Sequence, residues 1–197
     1  MMVKRAVIDT NILVYAMLED HPAYHDCYNF LLEAETNFTL YSSVETLFEI
    51  YRILRVFYQL DPRAAIEKVV QLESSSILFL ETQSKSVRDI LESIQQKLIH
   101  ANDGRLLAIA RETASEAIIT DDRHFGKVIQ ELNLKWVTPI QDSTRMEMDA
   151  WEQMNLPPKG LPRILASIFN YLQQIAPEVA RKFHSDTRNF TSLPEIL

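Results

Sequence analysis

The sequence predicts an α/β protein, a three-layer α/β/α domain on a short, mainly parallel five-stranded sheet, with a C-terminal helical extension. Short β-branched or aromatic runs alternate with helical periodicity through about residue 140. Alternation of that kind places parallel strands between two helical layers. Beyond residue 140 the strand signals stop and only helical patterns remain.

The first strand is the apolar run ending at Ile8, and helical spacing follows over residues 12–18 with Thr10 or Asn11 as its N-cap. A second helix covers 22–34, with Tyr24, Tyr28, Leu31 and Leu32 on one face. Residues 38–41 form strand two. Val44, Leu47, Phe48, Tyr51 and Leu54 recur at helical spacing behind a Ser42 or Ser43 cap. Asp61-Pro62 opens a helix to about Glu73, since proline suits the first helical position. Strand three is 76–80, and a helix through Val87, Ile90, Leu91 and Ile94 comes after it. Residues 102–114 are helical, 117–120 are strand four, a helix runs through Phe125, Val128, Ile129 and Leu132, and 134–137 are strand five.

The expected organisation is a domain over 1–140 and a helical extension over 141–197. In the extension a helix over 144–154 leads to the proline-rich linker 156–162. An apolar stripe of Ile164, Leu165, Ile168, Phe169, Leu172 and Ile175 and a short helix after Pro177 complete it.

Composition narrows the function classes. Hydrophobic residues at 47% and charged residues at 24% fit a soluble globular protein. No apolar run reaches the ~20 residues that span a bilayer, and none resembles a secretory signal. The lone cysteine, Cys27, suits a reducing compartment, so the expected location is cytoplasmic. The three glycines form no phosphate-binding loop. A net charge of -7 argues against binding to nucleic acid through bulk positive charge, but not through an acidic cluster neutralised by cations.

The chemistry lies in the carboxylates. Asp9 ends strand one, at the rim where open α/β sheets bind ligands. Glu45 and Glu49, four apart, share a face of the helix after strand two. Asp103 is in line with Leu106, Leu107 and Ala110, on the inward stripe of its helix. Asp121 and Asp122 directly follow strand four, where Thr120 can orient a neighbouring carboxylate. Each has an ordinary alternative: a helix cap for Asp9, Asp121 or Asp122, an Arg52 pairing for Glu49, a helix-dipole contact for Asp103. Together they are acids sharing one rim. Carboxylates so placed repel one another unless hard cations such as Mg²⁺ or Mn²⁺ bind them. The pattern points to metal-dependent phosphoryl chemistry.

Four ordered segments then carry a family resemblance. They are Val7-Ile8-Asp9-Thr10-Asn11-Ile12-Leu13-Val14-Tyr15-Ala16 with His21-Pro22, and Ser43 followed by Glu49-Ile50-Tyr51-Arg52-Ile53-Leu54. The others are Asn102-Asp103-Gly104-Arg105-Leu106-Leu107-Ala108-Ile109-Ala110 and Ile118-Ile119-Thr120-Asp121-Asp122-Arg123-His124-Phe125. Over about residues 3–140 the chain resembles the PIN-domain family of metal-dependent ribonucleases. The resemblance implies that Asp9, Glu49, Asp103 and Asp122 are the metal-binding and catalytic quartet, holding Mg²⁺ or Mn²⁺. Asn11 and Thr120 would hold the site in shape. Glu45 could share the role of Glu49, and Asp121 is an extra acid at a variable position. It further implies an RNA substrate, a homodimer and, for toxin-type members, an antitoxin or other regulatory protein as partner.

Two other readings compete. An aspartate-nucleophile phosphatase of the haloacid dehalogenase type would use Asp9, a serine after strand two and Asp121-Asp122. It needs a second Asp two residues past the nucleophile, where this chain has Asn11. The other is a catalytically inactive PIN-like module that binds RNA or protein. His21, His25 and Cys27 lack the further ligands zinc would need and read as structural.

Overall fold

The computed structural model describes residues 4–156 and 163–187, in two compact units, Met1–Gln141 and Asp142–Leu197. In the first unit the elements are β1 (Lys4–Ile8), α1 (Thr10–Tyr15), α2 (Tyr24–Asn37), β2 (Phe38–Ser43), α3 (Val44–Val56) and α4 (Pro62–Glu73). They continue with β3 (Leu78–Leu80), α5 (Val87–Lys97), α6 (Ala101–Glu112), β4 (Ala117–Ile119), α7 (Arg123–Glu131) and β5 (Lys135–Val137). The sheet is wholly parallel in the order β3-β2-β1-β4-β5, flanked by helices as the alternation predicts.

That order sets the place of the site. From β1 the chain builds outward through β2 to β3, then returns to lay β4 and β5 on the opposite side. The reversal falls between β1 and β4, where the first turns of the following helices diverge and leave a crevice. Ile8 pairs with Ile119, and the Asp9 N–H donates to the Ile119 carbonyl at 3.0 Å. Asp9 and Thr120 therefore leave the sheet side by side.

Ala6, Val7, Ile8, Ile118 and Ile119 are completely buried in the central strands, and Val7 and Ile118 pack with Leu106, Leu107 and Ile109 of α6 and Phe125 and Ile129 of α7. A Cβ on Gly126 would stand 2.4 Å from the indole of Trp136, so only glycine lets α7 lie this close to β5.

Some local expectations change. Asp9, not Thr10 or Asn11, is the N-cap of α1, accepting from the Thr10 N–H, and α1 stops at Tyr15. An aspartate at a strand end is already in extended conformation, as a cap requires. Ser43 caps α3 through the Thr46 N–H. Tyr28, Leu32 and Phe48 are exposed; α2 buries Cys27 and Ala34 instead, and α3 buries Thr46, Ile50 and Leu54.

The second unit contains α8 (Asp142–Asn155), α9 (Arg163–Ile175) and α10 (Pro177–Thr187). Phe169 of α9 is buried and meets the His184 ring of α10 edge-on at 5.7 Å. Of the apolar stripe, Ile168 and Ile175 are exposed. Linker residues 157–162 and the polar tail from 188 lie outside the described residues. No helix among the described residues is long and apolar enough to cross a membrane.

Candidate active site

Asp9 is the best-held of the acids. It is 6% exposed, and every contact at its carboxylate comes from a residue at the crevice. Oδ1 accepts from the Thr10 N–H at 2.6 Å, while Oδ2 accepts from the Thr120 hydroxyl at 2.6 Å and from Asn11 Nδ2 at 3.1 Å. The Thr120 hydroxyl in turn accepts from Asn11 Nδ2 at 3.2 Å and from the Asp122 N–H at 3.0 Å. With two incoming bonds, its single proton is directed at Asp9. Asn11 closes the loop by accepting from the Asp121 N–H at 3.3 Å. Asn11 and Thr120 thus tie the end of β1 to the end of β4.

The other acids arrive from separate elements. Glu49, half-buried on α3, accepts from the Thr10 hydroxyl at 2.7 Å. Asp103, 7% exposed in the first turn of α6, accepts from the His100 N–H at 3.0 Å. Asp122 caps α7, its Oδ1 accepting from the N–H groups of His124 at 2.7 Å and Phe125 at 2.9 Å. The ordinary roles considered for Asp9 and Asp122 are therefore real, yet each uses Oδ1 and still belongs to the rim.

Electrostatics show that the four share one region. Burial pushes the Asp9 carboxyl up to about 7; the Thr120 bond opposes the rise, and the negative charges of Asp103 and Glu49 add to it. Burial likewise pushes Asp103 up to about 6, reinforced by Asp122 and Glu49 and opposed by the His100 N–H. Asp9 thus feels Asp103 and Glu49, and Asp103 feels Glu49 and Asp122, so Asp103 links the acids across the crevice.

Among the described residues, no group of three or more His, Cys, Asp or Glu stands ready to hold a metal ion. The donor set is nevertheless all carboxylate oxygen, partly buried and mutually repelling, which suits a hard divalent cation.

The remaining candidates stand to either side. The Asp121 carboxylate accepts from the Thr138 hydroxyl at 3.3 Å, toward the end of β5. Glu45 lies one helical turn before Glu49, near Thr82 and Arg105. His21 is buried, stacked on Tyr15 at 4.4 Å, and its Nδ1 accepts from the Ala23 N–H at 3.1 Å. Burial, with Asp121 and Asp26 nearby, pushes the Cys27 thiol well above its usual range.

Two contributors escape the sequence reading. Thr10, read there only as a cap, donates to Glu49. Trp136 donates its indole N–H to the Thr120 carbonyl at 2.9 Å, bracing Thr120 from behind. The signal for Thr10 is a hydroxyl directly after the strand-end aspartate; for Trp136 the only hint is Gly126, a glycine inside a helix.

A parallel α/β domain with acids gathered at its switch point belongs to a definite class. The PIN domain family model matches residues 6–130, and the chain is a member of that family. No curated protein matches it. Among solved structures it is similar to the Mycobacterium tuberculosis toxin VapC20, which cleaves the sarcin-ricin loop. The TM-score there is 0.55 at 13% identity, over 62% of this chain and 94% of the other. It is also similar to VapBC2 from Rickettsia felis, solved on a DNA fragment from its promoter. That match has a TM-score of 0.51 at 21% identity, over 68% of this chain and 98% of the other. At these identities the likeness is one of fold.

Proposed function

We propose that this protein is a divalent-metal-dependent endoribonuclease, of the toxin type, that hydrolyses RNA phosphodiesters at Asp9, Glu49, Asp103 and Asp122. The observation carrying this reading is the shared field of the four acids, with Asp9 oriented by Thr120 and Asn11 at the junction of β1 and β4. Membership of the PIN family supports it. The phosphatase reading loses support, because the Asn11 amide is committed to Asp9 and Thr120 and the residue supplies no second acid.

The four carboxylates would hold Mg²⁺ or Mn²⁺. Such an ion supplies Lewis acidity, lowering the pKa of an attacking water and stabilising charge on the displaced oxygen. The protein supplies orientation. Thr120 and Asn11 fix Asp9 Oδ2, Thr10 fixes Glu49, and the His100 N–H fixes Asp103 Oδ2. Asp122 keeps Oδ1 on the α7 N-terminus, which would leave its other oxygen for the ion. In this reading the protein works in the cytoplasm as a homodimer, with an antitoxin partner suggested by the VapBC2 likeness.

The test is cleavage of a mixed RNA pool with Mn²⁺, Mg²⁺ or EDTA, comparing wild type with Asp9→Asn. Metal-dependent cutting that the variant loses is the expected result. Folded wild-type protein that binds Mn²⁺ but cuts no RNA would leave the inactive binding module as the better reading.

A further inference from the structure

The basic side chains near the acidic rim differ in what already holds them. Arg55 donates to the Leu60 carbonyl, Lys68 to the Met17 carbonyl at 2.8 Å, and Lys97 pairs with Glu131 at 3.0 Å. Arg52, Arg123 and Lys127 are exposed. Arg105 is different. It lies two residues after Asp103 near the start of α6, half-buried, with Nη1 donating to Asn102 Oδ1.

Its charge reaches Glu45 at the start of α3, one turn before Glu49. Burial works against a charged Glu45, but its own backbone N–H, the Thr82 and Ser43 hydroxyls and Arg105 together hold its carboxyl below the usual range. Glu45 Oε2 and Thr82 Oγ1 are nevertheless buried without completing a hydrogen bond. The guanidinium is therefore drawn toward Glu45 without being locked onto that oxygen.

A guanidinium carries five donors in a planar fork. Here a neutral amide takes one, a nearby carboxylate biases the orientation, and donors remain for an anion at the edge of the acidic centre. A protein of net charge -7 repels RNA at long range, so a local cation beside the acids has added weight.

We propose that Arg105 seats a substrate phosphate beside the four acids, with Asn102 and Glu45 as the positioning residues that set its guanidinium. This assignment rests on the endoribonuclease reading.

The experiment measures binding of a short fluorescent single-stranded RNA of mixed sequence in EDTA across a salt series, and Mn²⁺-dependent cleavage of the same RNA. Full-length wild type, Arg105→Ala and Arg105→Lys are compared. The Ala variant is expected to bind about tenfold more weakly. Its slope of log affinity against log salt should be shallower by about 0.7. KM rises while kcat stays within about threefold, the pattern of lost uniform binding. The Lys variant keeps the salt slope but recovers only part of the affinity, because it lacks the fork. Unchanged affinity and slope in the Ala variant overturn the assignment, as does a loss confined to kcat. If wild type binds this RNA but never cuts it, the nuclease reading fails, while the binding measurements still decide Arg105. Wild type that neither binds nor cuts overturns both.

Discussion

The Thr120 hydroxyl donates to Asp9 Oδ2 at 2.6 Å, joining two residues 111 positions apart in the chain. This bond opposes the rise in the Asp9 pKa caused by burial. Thr120→Val keeps the shape and removes the donor, leaving Asp9 harder to ionise. Loss of a group that orients a metal-binding carboxylate typically lowers metal affinity or activity by about 10- to 100-fold. Calorimetric titration with Mn²⁺ at neutral pH should show a drop of that order, with partial recovery at higher pH where Asp9 ionises. Equal affinity in wild type and variant would remove Asp9 from the metal site.

The raised carboxyls make stability depend on pH. Asp9 at about 7 and Asp103 at about 6 both lie above the unfolded value of 3.8, so the folded state binds more protons in between. Stability is therefore greatest below about pH 4 as far as these two groups are concerned. It falls as pH rises through 6 for Asp103 and through 7 for Asp9. Urea unfolding of metal-free protein should lose a few kcal/mol from this source between about pH 5 and pH 8. Millimolar Mn²⁺ should restore much of that loss at pH 8 and little at pH 5. A metal-free profile that rises over this interval would contradict the assignment.

Gly126→Ala places a methyl group 2.4 Å from the Trp136 ring, which has no small movement that relieves the clash. Overpacking of this kind costs about 1–3 kcal/mol. Displacing the indole also strains its bond to the Thr120 carbonyl, so metal affinity should fall together with stability. Urea denaturation followed by tryptophan fluorescence tests the first effect, and Mn²⁺ titration of the folded variant tests the second.

Ala114 makes the opposite prediction. It follows α6 in a left-handed conformation, φ 49°, while the Ser115 N–H caps the Ala110 carbonyl at 2.8 Å. Glycine is the favoured residue in this helix-ending motif. Ala114→Gly should raise stability by about 0.5–1 kcal/mol once the entropy of glycine is offset against the relieved strain. Cleavage should not change, and a destabilised variant would show that the strain is absent.

What the sequence made legible follows from what encodes it locally. Five strands alternating with helices specify the parallel sheet, and the acid after β1, the inward acid of α6 and the acids after β4 stand out against their apolar settings. The cap at Asp9 was harder to place, because Asp9, Thr10 and Asn11 are all capping residues and only backbone conformation selects one. Thr10 and Glu49 are joined across 39 positions, and no local pattern records that bond. Phe48 fits the helical spacing of α3, yet it is 72% exposed, since periodicity defines a stripe but not which edge of it a neighbouring helix covers. Trp136 reveals its purpose only once β5 lies beside β4.

The strand order also dictates when the site can come into being. β1 is made first yet lies at the centre, and its partner β4 is not made until more than a hundred residues later. At typical synthesis rates the interval from Asp9 to Thr120 is about 5 to 20 seconds. Throughout it, a growing chain holds Asp9 without Asp122 or the hydroxyl that orients Asp9, and Glu49 and Asp103 join only as the interval runs. The acidic crevice is thus completed only near the end of translation of the first unit, so nothing that depends on all four acids can begin on a shorter chain.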